Sequence, residues 1–76
     1  MKPVEIYTSD TCGYCHSAKD YFNQNNIQFV EHNISADASA RKELIKKGYR
    51  SVPVIVIGTE EILGFDKEKI SSLLGI

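Results

Sequence analysis

Over residues 4–8 apolar and polar side chains alternate, Val4 and Ile6 against Glu5 and Tyr7, which is the period of a strand. From Cys12 the period lengthens. Cys15, Ala18 and Phe22 follow at spacings of three and four, lining one face of a helix that starts at or just after Cys12 and ends near the Asn-rich 23–26. Ile27, Phe29, Val30 and Ile34 predict a second strand over 27–34, bounded by Asn-rich and Ser/Asp-rich pieces. Asp37 is placed to cap a second helix to about Lys47, with Ala40, Leu44 and Ile45 on its buried side and Gly48 ending it. The segments VPVIVI and EEILGF flank Gly58-Thr59, a two-residue connection with glycine first that suits an antiparallel hairpin. Asp66 then caps a last helix, in which Ile70, Leu73 and Leu74 make an apolar stripe and Gly75 marks the end.

The order is therefore βαβαββα. A strand, helix, strand unit of this length implies a parallel pair joined by a right-handed crossover, and the hairpin adds antiparallel strands. The expected fold is α/β, a mixed four-stranded sheet covered by three helices, with residues 1–76 forming a single domain. No internal repeat, low-complexity tract or linker interrupts it.

Composition narrows the function. Hydrophobic residues make up 42% of the 76 positions and charged residues 25%, as in globular proteins. Nine Lys plus Arg against ten Asp plus Glu leave a net charge of -1, with no footprint for nucleic acid or an anionic membrane. Arg41-Lys42 and Lys46-Lys47 sit beside acids and read as a solvated helix face. The opening MKPVEIY lacks a basic segment followed by a long apolar one, and the longest apolar run, VPVIVI, is far short of a membrane span. The expected location is the cytoplasm, and the expected state a monomer.

In a reducing compartment two close cysteines point to redox or metal chemistry more than to a staple. A Cys12–Cys15 bridge would close so short a loop that it stabilises by only roughly 2 kcal/mol. Disulfide exchange needs a thiolate, and an ordinary cysteine, with a pKa near 8.5, is little ionised at neutral pH. A helix beginning at Cys12 would aim the free amides of Tyr14 and Cys15, and the positive end of its dipole, at the Cys12 sulfur. That contribution, up to about 2 kcal/mol, lowers the pKa by roughly 1.5, to near neutrality. Cys15, on the face shared with Ala18 and Phe22, is then the buried, resolving thiol, while Thr11 and Gly13 shape the turn. Zinc would want four ligands, and the spacing of His16 and His32 from the pair matches no standard finger. His16 reads as a polar surface residue.

IYTSDTCGYCHSAK, SVPV at 51–54 and GFD at 64–66 together resemble the glutaredoxin family of the thioredoxin-fold superfamily, over essentially the whole chain. The resemblance implies a dithiol-disulfide oxidoreductase reducing protein or mixed disulfides, with Cys12 as nucleophile and Cys15 as resolving thiol. It implies a cis Pro53 that would aim the Val52 backbone at an extended substrate, and no tightly bound cofactor. For glutathione it implies Tyr14, Val52 and Asp66 as contacts, although helix capping alone would account for Asp66. The chain departs from the family pattern in three places. Ser9 stands where many relatives carry lysine, Leu63 and Phe65 alter the usual Gly-Gly-x-Asp turn, and Gly13 replaces a proline. In the first two it resembles glutaredoxin-like proteins that take electrons from thioredoxin reductase, so the donor stays open between that enzyme and glutathione. Some relatives with a small residue at the position of Gly13 hold a two-iron cluster between two subunits with glutathione, which makes an iron-sulfur cluster-binding or carrier protein the alternative.

Overall fold

The two central strands of the sheet are largely buried and require a cover on both faces, and the arrangement of the helices follows from that. In a computed structural model that describes residues 3–76, the sheet runs β2 (Val30–Asn33), β1 (Val4–Thr8), β3 (Val54–Ile57), β4 (Glu60–Leu63). β1 and β2 are parallel, with Ile6 opposite Glu31 and Thr8 opposite Asn33, and the other pairings are antiparallel, with Tyr7 opposite Val54 and Val54 opposite Leu63. This is the mixed sheet with three helices that the periodicity predicts.

On one face Val4, Ile6, Ile55, Ile57 and Ile62 pack against Ala18 and Phe22 of α1 (Gly13–Gln24) and Ile70 of α3 (Lys67–Leu74). On the other, Tyr7, Val54 and Val56 pack against Ala40 and Leu44 of α2 (Ala38–Lys46). Each large side chain so buried contributes about 1.5–3 kcal/mol. β3 is buried at every position, which is why its sequence is a continuous VIVI rather than an alternation.

The segment boundaries differ from the expectation in informative ways. The second strand is four residues, not eight, because the amide of Ile27 bonds to the carbonyl of Phe22 at 2.9 Å and that of Asn26 to Asn23 at 3.2 Å. With Asn26 at φ 55 this is a Schellman cap, and the apolar Ile27 closes α1 over Phe22 instead of starting a strand. Val30 in turn is 56% exposed on the edge strand. Gly48, at φ 95, ends α2 in the same way, with the Tyr49 amide on the Leu44 carbonyl. Ile45 corrects the expected buried face of α2. It is 54% exposed, because a nine-residue helix turns only Ala40 and Leu44 toward the sheet. β3 and β4 are each two residues shorter than the apolar segments that announced them, since Val52 and Pro53 precede β3, and Gly64 and Phe65 turn into α3.

Candidate active site

Cys12 stands where β1 has ended and α1 has not begun. It is the N-cap of α1, with extended backbone (φ -95, ψ 107), and its Sγ accepts the amide of Cys15 at 3.1 Å. The free amides of a helix start and its dipole favour negative charge at this sulfur, and the first turn carries no acid to oppose it. Cys15 is 1% exposed, on the stripe with Ala18 and Phe22, and the two cysteines are joined in a disulfide with Cα atoms 5.3 Å apart. Position alone thus separates the pair into an accessible sulfur and a buried one. Thr11, Gly13 and His16 are exposed around them, and a Cβ built on Gly13 would meet nothing within 4 Å, so crowding does not require glycine there.

The loop ahead of Cys12 is anchored to β2 and the turn after it. The buried Thr8 hydroxyl donates to Glu31 Oε2 at 2.7 Å, and Lys19 Nζ donates to the same oxygen at 3.0 Å. These bonds, the Thr8 hydroxyl foremost, hold the Glu31 carboxyl below its ordinary pKa. Asn33 Nδ2 donates to Asp10 Oδ1 at 2.8 Å, the Asp10 amide donates to Ser35 Oγ at 3.1 Å, and the Ser35 amide donates to Asn33 Oδ1 at 2.9 Å. Sequence reasoning missed Glu31, Asn33 and Ser35. Their signal is a polar set at every second position, which in a parallel register meets Thr8 and Asp10, also two apart.

On the opposite flank the Val52–Pro53 peptide is cis, and the Pro53 carbonyl accepts the amide of Gly64 at 2.8 Å. Here Tyr14, Val52, Pro53, Leu63 and Phe65 line a groove of about 380 Å³ with no charged residue in its lining. Tyr14 is 72% exposed and Leu63 57%, so the groove opens to solvent. Of the expected binding residues, Tyr14, Val52 and Pro53 therefore come together. Asp66 does not join them: its Oδ1 accepts the amide of Lys69 at 3.2 Å as the N-cap of α3. A second cleft, of about 470 Å³, lies beside Ser9 and carries Arg41 and Arg50 above an apolar floor that includes Leu44.

The profile of the Glutaredoxin family matches residues 4–62. Glutaredoxin 3 of Escherichia coli is 43% identical over 67 residues, covering 87% of this chain and 81% of the relative. Among solved structures, the thioredoxin-like protein BC3987 superposes with a TM-score of 0.86 at 34% identity, covering 92% of this chain and 97% of that one. NrdH-redoxin from Escherichia coli, a glutaredoxin-like protein with a thioredoxin-like activity profile, gives a TM-score of 0.84 at 28% identity and 93% coverage of both chains. With an N-capping cysteine over a buried one and a family match across most of its length, the chain belongs to the glutaredoxin family and is a thiol-disulfide oxidoreductase.

Proposed function

We propose that the chain is a dithiol reductase of protein disulfides in which Cys12 attacks and Cys15 resolves. The Cys12 thiolate displaces one sulfur of a substrate disulfide, which leaves as a thiolate and takes a proton, and Cys12 is left in a mixed disulfide. The Cys15 thiolate then attacks Cys12 Sγ, releases the second substrate sulfur as thiol and closes the Cys12–Cys15 disulfide. Two electrons and two protons pass to the substrate, and a reductant must return them. The observation that carries this reading is the asymmetry of the pair: Cys12 caps the helix with the Cys15 amide on its sulfur, while Cys15 is buried behind it.

The uncharged groove favours a protein-sized electron donor such as thioredoxin reductase over a tripeptide with two carboxylates. The likeness to NrdH-redoxin, with its thioredoxin-like activity profile, supports the same choice. Glutathione is the second reading, because Arg41 and Arg50 offer carboxylate partners beside Ser9, where the family's lysine is missing. An iron-sulfur carrier would need ligands from outside the chain, since among the described residues no group of three or more His, Cys, Asp or Glu could hold a metal ion.

The test is a pair of substitutions assayed with NADPH and thioredoxin reductase, and separately with glutathione and its reductase. Cys12→Ser is expected to abolish disulfide reduction with either donor, and Cys15→Ser to accumulate a mixed disulfide visible by intact mass. A Cys12→Ser protein that retains turnover contradicts the proposal.

A further inference from the structure

Tyr21 has no place in the chemistry above, yet it links the catalytic helix to the start of α3 and to the groove through a hydrogen bond, a cation–π contact and an aromatic pair. It lies six residues beyond Cys15 on the flank of α1 that faces α3. Its hydroxyl is 2.6 Å from Ser71 Oγ, and Ser71 Oγ donates to the carbonyl of Lys67 at 2.7 Å, so the tyrosine is the donor of the first bond. Lys67 Nζ sits over the Tyr21 ring, 5.3 Å from its centroid. The edge of the ring system meets Phe65 at 5.8 Å between centroids and 61° between planes. The first two turns of α3 thus hold Tyr21 by its hydroxyl and its face, and Tyr21 in turn holds Phe65.

Phe65 forms a wall of the groove whose other boundaries are Tyr14 and Pro53. Its backbone is tied to the proline loop through the Gly64 amide, but that bond leaves the ring free to turn. The Phe65 ring packs at the margin of the hydrophobic core, and Tyr21 is its aromatic partner there, edge-on to it beside the groove. We propose that Tyr21 is a positioning residue for substrate selection: by fixing Phe65 it shapes the groove to take an apolar side chain next to the attacked cysteine of a protein disulfide. This inference rests on the dithiol reading above and names the substrate class that reading leaves general. The uncharged lining argues for an apolar side chain, and the position of Tyr14, two residues after Cys12, argues for a neighbour of the reacting cysteine.

The test compares two peptide disulfides that differ only in carrying Leu or Ser beside the cysteine, with kcat and KM measured for each. The wild-type protein is expected to favour the Leu peptide by about fivefold in kcat/KM, the scale of partly burying one apolar side chain in an open groove, with the difference in KM. Tyr21→Ala is expected to bring that ratio below about twofold, while Tyr21→Phe, which keeps the ring against Phe65 and loses only the hydroxyl bond, restores part of it. Ser71→Ala, which removes the acceptor from a half-buried surface position, is expected to match Tyr21→Phe and stands in should Tyr21→Ala not fold. A loss of stability alone would lower both peptides together and leave the ratio at its wild-type value, which overturns the proposal. A wild-type protein that reduces both peptides through Cys12 with no preference also overturns it and leaves the dithiol reading standing. One that reduces neither overturns both.

Discussion

On the β2 side of the cysteine loop, Thr8 and Asp10 are held by Glu31, Asn33 and Ser35 through hydrogen bonds of 2.7 to 3.1 Å, two of them to carboxylates. On the β4 side the active-site end faces Pro53, Leu63 and Phe65 across an open, uncharged groove. Hydrogen bonds to charged groups are directional and fix the path of the chain into Cys12. Apolar contact has no preferred direction, so it accepts protein surfaces of varied shape around a disulfide. In the proposed reaction one flank would hold the attacking Cys12, and the other would receive the disulfide it attacks.

The largest effect expected from crossing these roles is a charge on the receiving flank. Leu63→Glu should lower kcat/KM for a protein disulfide by about tenfold or more, because a carboxylate must be desolvated against an uncharged partner surface. Its stability in urea should change by less than about 0.5 kcal/mol, since Leu63 is mostly exposed. Unchanged kcat/KM would mean that the substrate does not lie in this groove.

The complementary change is Thr8→Val on the holding flank, which keeps the shape of a buried side chain and removes its donor to Glu31. It should cost about 1.5 kcal/mol in urea unfolding, the low end for a bond to a charged group because Glu31 is partly exposed. The pH dependence sharpens this. The Glu31 carboxyl is lowered in the folded protein, so its contribution is complete above the ordinary glutamate pKa of about 4.3 and is lost as pH falls through the lower folded value. The stability gap between wild type and Thr8→Val should therefore narrow below about pH 4. A gap that stays constant with pH would remove Glu31 from the account.

The two flanks were not equally legible in the sequence. The element order, the caps at Asp37 and Asp66, and the cysteine at a helix start follow from local signals: a period, a capping side chain, a glycine stop. The groove was half legible, since SVPV and GFD resemble family motifs, but that Leu63 and Phe65 share one surface with Tyr14 depends on the sheet bringing β4 beside β3. The polar grip was not legible. Glu31 and Asn33 stand in a segment read for its apolar residues, and their partners lie more than twenty positions away, so only the register of β1 with β2 reveals them. Ile27 and Ile45 show the same limit from the other side. Each is apolar at a plausible position, yet one closes a helix cap and the other faces solvent, because packing against a distant element, not hydropathy, decides the matter.

The central claim is the asymmetry of the two sulfurs, and the most direct measurement is the pH dependence of alkylation of the fully reduced protein, with each cysteine followed separately by mass spectrometry. Cys12 is expected to be modified first, with a midpoint near pH 7 and thus well below the ordinary thiol value of about 8.5, while buried Cys15 lags far behind at every pH. A Cys12 midpoint at or above about 8.5, or a Cys15 that reacts as fast as Cys12, would contradict it.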